Sequence, residues 1–135
     1  MNLTKLNNLQ KTVLVIAGSD PSGGAGIQAD LKTLTSFGVY GMTAITALTE
    51  QNSNGVFDIL EIPIEFVLKQ INCCLSDINA NAVKIGMLHS ADLISAVLEA
   101  LFNNKIVSNK NVNIVLDPVM VAKGGHKLLK ENAID

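Results

Sequence analysis

The sequence contains no tryptophan and no arginine, and only one tyrosine and four phenylalanines. Aromatic side chains are the platforms on which many nucleic-acid-binding proteins stack bases, so their scarcity argues against that class. The ten basic residues are all lysines, they are scattered along the chain, and the formal net charge is -2. Because no basic stripe is present, the sequence predicts no nucleic-acid partner.

The sequence also lacks any apolar run close to the roughly 20 residues that span a bilayer. Residues 1–11 form a polar leader of mainly Asn, Thr, Lys and Gln, without the apolar core of a signal peptide. We therefore expect a cytoplasmic protein with no membrane partner. The two cysteines, Cys73 and Cys74, are adjacent and have no metal-ligand spacing, so they predict neither a disulfide nor a zinc site.

Short apolar runs alternate with helical patterns through the rest of the chain, and 48% of its 135 residues are hydrophobic. The runs predict strands over residues 12–17, 42–49, 56–62, 82–85 and 112–116. The 3.6-residue patterns predict helices over residues 27–37, from Pro63, after Ser90 and over residues 127–135. This alternation predicts one α/β domain over residues 12–135, with a mostly parallel central sheet between helices.

The last predicted strand, residues 112–116, is apolar on both faces. That pattern is typical of a buried interior strand of a parallel sheet. Only one partial helix is predicted after it, so we expect the sheet to be incomplete on its C-terminal side. An apolar sheet edge left in this way predicts a marginally stable or aggregation-prone chain.

Glycine and polar residues follow four of the predicted strands. Residues 18–26 follow the first strand, Gln51 follows the second, Gly86 and Met87 follow the next, and Asp117 follows the last. The carboxyl ends of parallel strands meet at one edge of a sheet, where ligands of such proteins bind. The sequence therefore predicts a binding site at that edge.

The glycine-rich loop after the first strand reads GSDPSGGAG over residues 18–26. A phosphate-binding P-loop needs a lysine and a hydroxyl residue where Gly24 and Ala25 stand. A dinucleotide-binding fingerprint could start at Gly24, but its first glycine should directly follow the strand. The interpretation of this loop as a turn with a purely structural role also stays open.

Four separated segments carry a family resemblance: GSDPSGGAGIQADLKT from residue 18, TALTEQN from residue 46, KIGML from residue 84 and LDPVM from residue 116. In this order they resemble the hydroxymethylpyrimidine and phosphomethylpyrimidine kinases of thiamine biosynthesis, which belong to the ribokinase-like superfamily. The resemblance covers residues 12–129. It implies a three-layer ribokinase-like fold, a pyrimidine substrate, and ATP and Mg²⁺ as cofactors.

The resemblance also implies roles for six residues. The backbone of Gly18 would lie beside the pyrimidine, Asp30 would hydrogen-bond the ligand, and Gln51 would read its amino-pyrimidine edge. Met87 and Val119 would pack against the ring. Asp117 would face the magnesium and phosphate region, where carboxylate oxygens are suitable ligands.

The family is about twice as long as this chain, and the resemblance therefore covers only its amino-terminal half. The second half holds most of the ATP site and a Gly-Thr-Gly segment followed by the Cys or Asp general base. No catalytic residue is thus expected here, and we predict that the chain is inactive alone. A companion C-terminal chain or a homodimer is the expected protein partner.

Simpler interpretations stay open for the individual residues. Met87 could be a core side chain, Asp117 could shape a turn before proline, Asp30 could complement a helix dipole, and Gln51 could be ordinary loop polarity. The alternative functions are a pyridoxal-type kinase of the same superfamily, a non-catalytic remnant that retains only the fold, and a dinucleotide-binding oxidoreductase fragment.

Overall fold

The computed structural model describes residues 10–121 and residue 125. Its elements, in chain order, are β1 Thr12–Ser19, α1 Gly26–Ser36, β2 Tyr40–Asn52, β3 Gly55–Glu61, α2 Ile64–Asp77, β4 Ala82–Ile85, α3 Ala91–Asn103 and β5 Asn113–Leu116. The strands form one sheet in the order β3-β2-β1-β4-β5. All neighbouring pairs are parallel except β2 with β3. The predicted α/β fold with a mostly parallel sheet is confirmed.

The sheet separates two apolar cores. Helices α2 and α3 cover one face, against which Leu14 and Ile16 of β1 pack. Helix α1 covers the other face, where Val15 and Ala17 meet Ile27. Since successive strand side chains point to opposite faces, the uninterrupted apolar run of β1 follows from its central position. This strand is the axis of the three-layer fold.

The helices begin and end at the signals that the sequence provides. Pro63 immediately precedes α2, and Ser90 caps α3, with its hydroxyl oxygen accepting from the Leu93 N–H at 3.3 Å. Gly38 follows α1 with φ of +68°, the left-handed conformation that favours glycine after a helix. No described helix has the length and apolar character that a membrane crossing requires.

Strand β2 is longer than the sequence predicted. It continues through Asn52, beyond the expected end at residue 49, so Gln51 lies within the strand and not after it. The reason is the antiparallel partner β3, which pairs with β2 from Ala47 to Asn52. Pairing with β3 satisfies the backbone hydrogen-bonding groups of a segment whose polar sequence is typical of a loop. A bulge between Glu50 and Gln51 accompanies the extension.

Strand β5 has the apolar pattern of an interior strand but is exposed, as expected for an incomplete sheet. It is the outermost strand of the sheet and all four of its residues are exposed. Ile114 is 42% exposed and Leu116 is 63% exposed. The expected apolar edge is therefore present in the described part of the chain. The helix predicted over residues 127–135 and most of the polar leader lie outside the described residues.

Candidate functional site

A pocket of about 350 Å³ lies at the carboxyl ends of β1, β2 and β4 and beside the segment after β5. Its volume falls within the range of small-molecule sites. Six residues that the sequence singled out line it together: Gly18, Asp30, Gln51, Met87, Asp117 and Val119. The predicted convergence of strand ends is thus present. What these residues bind stays a prediction.

The glycine loop is organised by the carboxylate of Asp20, which the sequence reading did not single out. One oxygen accepts from the Ser22 N–H at 2.9 Å and the Ser22 hydroxyl at 2.7 Å. The other accepts from the N–H groups of Gly24 at 3.0 Å and Ala25 at 2.8 Å. Burial alone would raise the pKa of Asp20, but these four donors hold the pKa below its ordinary value.

The same hydrogen bonds decide what the loop can bind. In phosphate-binding loops the backbone N–H groups point at the ligand. Here the N–H groups of Ser22, Gly24 and Ala25 already donate to a carboxylate of the chain itself. The loop therefore offers no free cradle of these amides to a phosphate, in agreement with its missing P-loop lysine.

The loop folds back onto the end of β1 at Gly26. This residue has φ of +56°, and a Cβ atom there would lie 2.3 Å from the Gly18 carbonyl oxygen. Gln28 supports the turn, since its Oε1 accepts from the Asp20 N–H at 2.8 Å and its Nε2 donates to Ser19 Oγ at 2.7 Å. The glycine at position 26 is thus required by both conformation and space.

Met87 and Gly18 form an apolar wall of the pocket. Met87 is 7% exposed, and its carbonyl oxygen accepts from the Thr46 hydroxyl at 2.9 Å. A Cβ atom at Gly18 would lie 2.9 Å from Met87 Cε, so the glycine leaves room for the methionine methyl group. Met87 is therefore largely buried as well as lining the pocket.

The amide of Gln51 keeps hydrogen-bonding capacity toward the pocket. The Thr49 hydroxyl lies 2.8 Å from the Ser19 carbonyl oxygen and 3.1 Å from Gln51 Oε1. A hydroxyl has one proton to donate to these two acceptors, whereas a glutamine amide has two donors and one acceptor oxygen. Gln51 can thus offer both a donor and an acceptor to a ligand.

Lys84 is a pocket residue that the sequence reading missed. Its Nζ lies 2.9 Å from Asp30 Oδ2 and 3.6 Å from Asp117 Oδ2. These contacts join β4, α1 and the segment after β5, so no local pattern reveals them. The available signal was a charged residue within the short apolar strand AVKI, where a lysine needs a partner.

The described residues offer limited ligation to a metal. They contain no group of three or more His, Cys, Asp or Glu side chains that could hold an ion. Asp117 is the candidate, because its side chain is 58% exposed beside the pocket. One carboxylate fits an ion such as Mg²⁺, which commonly keeps several waters and binds through one or two carboxylates together with phosphates.

An open, mostly parallel sheet with a glycine loop, carboxylates and an amide around a small pocket at its carboxyl edge is typical of α/β proteins that bind small molecules. The sequence model of the phosphomethylpyrimidine kinase family matches residues 20–135. The chain therefore belongs to the phosphomethylpyrimidine kinase family.

Individual relatives agree with this assignment. The hydroxymethylpyrimidine/phosphomethylpyrimidine kinase of Escherichia coli is 48% identical over 121 residues, which are 90% of this chain and 44% of that protein. The crystal structure of the phosphomethylpyrimidine kinase of Clostridium difficile superposes with a TM-score of 0.81 at 47% identity, covering 92% of this chain and 52% of that one. The chain thus spans about half the length of such relatives or less.

Pyridoxal kinases share the fold as well. The Staphylococcus aureus pyridoxal kinase in complex with pyridoxal has a TM-score of 0.73 and 40% identity. The match covers 85% of this chain and 42% of that one. The family of this chain and the pyridoxal kinases are therefore close in structure over this part of the domain.

Proposed function

We propose that this chain forms the substrate-binding part of a kinase that phosphorylates 4-amino-5-hydroxymethyl-2-methylpyrimidine and its monophosphate, with ATP, in thiamine diphosphate biosynthesis. The observation that carries the proposal is the pocket of about 350 Å³, around which all six residues implied by the family resemblance meet. A bifunctional thiamine-biosynthesis protein of Geobacter sulfurreducens, 48% identical over 123 residues, supports the same pathway.

The chemistry of the pocket suits an aminopyrimidine. The carboxylate of Asp30 accepts hydrogen bonds, and the amide of Gln51 both donates and accepts, which matches the alternating edge of such a ring. Met87 and Val119 provide apolar contact for the ring faces, and a thioether adapts well to an aromatic surface. Asp117 would face the magnesium and phosphate region, as the family resemblance implies.

ATP and Mg²⁺ are the proposed cofactors. The Staphylococcus aureus pyridoxal kinase in complex with AMP-PCP, at 38% identity and a TM-score of 0.70, supports a nucleoside triphosphate as phosphoryl donor. The family resemblance implies a Cys or Asp general base directly after a Gly-Thr-Gly segment, and residues 1–135 contain no such segment. We therefore expect the general base to lie outside the described residues, and we predict that the chain alone binds substrate without turnover.

Calorimetric titration of the folded chain with hydroxymethylpyrimidine tests the proposal. We expect weak binding, and Gln51→Ala should raise the dissociation constant about tenfold through the loss of ligand hydrogen bonds. Gln10→Ala is the matched control, because that amide donates to the Gly38 carbonyl oxygen outside the pocket. A folded sample that gives no heat with the pyrimidine would contradict the proposal.

A pyridoxal-type kinase is the second candidate, favoured by the pyridoxal complex of the structural relative. Competition between hydroxymethylpyrimidine and pyridoxal in the same titration distinguishes the two ligands. Tighter binding of pyridoxal would replace the pyrimidine proposal by this one. Binding of neither ligand would favour a non-catalytic remnant of the fold.

A further inference from the structure

We propose that Lys84 is a positioning residue of the pocket, whose ammonium group fixes the Asp30 carboxylate in the orientation that accepts a hydrogen bond from the ligand. The inference rests on the proposed function, because it takes the ligand to be an aminopyrimidine. Lys84 contacts no predicted catalytic group. Its proposed role is exerted through Asp30.

The placement of Lys84 in the sheet is the first observation. It lies in β4, between β1 and β5, in register with Val15 on one side and Val115 on the other. Its side chain is 23% exposed and points to the face of the sheet that α1 covers. A lysine at such a position depends on acceptors that the fold brings to it.

The partners of Lys84 are the second observation. Nζ donates to Asp30 Oδ2 at 2.9 Å, in contact with α1, and lies 3.6 Å from Asp117 Oδ2. Within residues 10–121, Lys84 is the one hydrogen-bonding side chain that the structure gives the Asp30 carboxylate. One oxygen of Asp30 is thus engaged, and the other remains available to a ligand in the pocket.

The space around the ammonium is the third observation. A Cβ atom at Gly86 would lie 3.1 Å from Lys84 Nζ and 2.9 Å from Ala17 Cβ. The backbone two residues beyond Lys84 therefore passes too close to tolerate a side chain without displacing its neighbours. The glycine of the KIGML segment leaves the room that the lysine side chain needs to reach both carboxylates.

Stability alone gives a weak account of this arrangement. Partly exposed ion pairs add little to folding free energy, and an apolar side chain of similar length suits a β-strand at least as well. The ammonium group instead fixes the orientation of the Asp30 carboxylate. It offsets the repulsion between the carboxylates of Asp30 and Asp117 and holds one Asp30 oxygen, so that the ligand meets a preorganised acceptor.

A double-mutant cycle on the 135-residue chain tests the inference by calorimetric titration with hydroxymethylpyrimidine. We expect Lys84→Met to weaken binding about tenfold in the native background, the equivalent of one ordinary hydrogen bond. In an Asp30→Asn background the same change should alter affinity less than twofold, because Lys84 acts through Asp30. Lys69→Met, on an exposed position of α2, is the matched control.

Equal losses in both backgrounds, or no loss in either, would overturn the inference. A ligand-free measurement separates it from the proposed function. NMR three-bond couplings should report one χ1 rotamer for Asp30 in the native chain and rotamer averaging in Lys84→Met. If the native chain binds no pyrimidine, the proposed function fails, and an unchanged Asp30 rotamer in Lys84→Met would still refute the role of Lys84.

Discussion

At the scale of single residues, the Asp20 carboxylate occupies the place in the glycine loop that an anionic ligand takes in phosphate loops. It is 2% exposed and accepts from Ser22, Gly24 and Ala25. The folded state therefore stabilises the ionised form, and the pKa of Asp20 is lowered. The Asp20 carboxylate is thus an anion within the loop, and it fixes the conformation of the loop in the absence of a ligand.

We predict that Asp20→Asn lowers the free energy of unfolding at neutral pH by about 1–3 kcal/mol, because the amide nitrogen would face an N–H donor of the loop. The lowered pKa also sets a pH dependence. The stabilisation is fully present above the unfolded-state value of about 3.9 and is lost as the pH falls through the folded-state value. Urea unfolding from pH 7 down to pH 3 measures both effects.

The matched control for Asp20 is Asp77→Asn, which removes an exposed carboxylate at the end of α2. In the native chain, stability should decline more steeply toward acid than it does in Asp20→Asn. If the stability of the native chain and that of Asp20→Asn fall in parallel as the pH is lowered, the loop hydrogen bonds do not favour the ionised carboxylate.

At the scale of elements, α2 completes the hydrogen bonding of β2 where β3 does not reach. Strand β3 pairs with β2 only from Ala47 onward. Just before that point, the Gln70 amide donates to the Ile45 carbonyl oxygen at 3.1 Å and accepts from the Ile45 N–H at 3.0 Å. One side chain of the helix thus substitutes for a missing strand partner.

We predict that Gln70→Leu destabilises the chain by about 1–3 kcal/mol, because both backbone groups of Ile45 lose their partner in a partly buried position. Lys69→Leu adds the same side chain at the neighbouring exposed position and serves as control. Chemical denaturation compares the two variants. Equal stabilities would mean that water replaces the glutamine without cost.

At the scale of the whole molecule, the two edges of the sheet differ. Strand β3 forms one edge within a local hairpin and exposes Phe57 and Leu60, whereas β5 forms the other edge and exposes the consecutive apolar residues Ile114, Val115 and Leu116. Ile94 of α3, which is 38% exposed, lines a small apolar pocket together with Leu116, which is 63% exposed, and so continues this surface. Contiguous apolar surface of this kind promotes association.

We predict concentration-dependent self-association of the isolated chain, and Leu116→Lys should reduce it by placing a charge at the open edge. Phe37→Lys adds the same charge to a residue that is 78% exposed at the end of α1, away from β5, and is the control. Sedimentation velocity over a range of concentrations measures the difference. A sharp, cooperative melt of a monomeric native chain would argue against this prediction.

The sequence predicts those features of this molecule that are local. The central position of β1 follows from its continuous apolar run, and the start of α3 follows from Ser90, whose cap bond spans three residues. The extension of β2 depends on pairing with β3, and the sequence does not show it because the added residues are polar, as in a loop. The contact between Lys84 and Asp30 joins residues 54 positions apart, so it required the fold.

The strand order has a consequence for biosynthesis. Strand β2 pairs with β1, β3 with β2, β4 with β1 and β5 with β4, so each of the described strands after β1 has a partner that precedes it in the chain. During synthesis the chain leaves the ribosome amino terminus first. Each strand from β2 to β5 can therefore pair, as soon as it emerges, with a strand that has already been translated, and only β1 waits for its first partner.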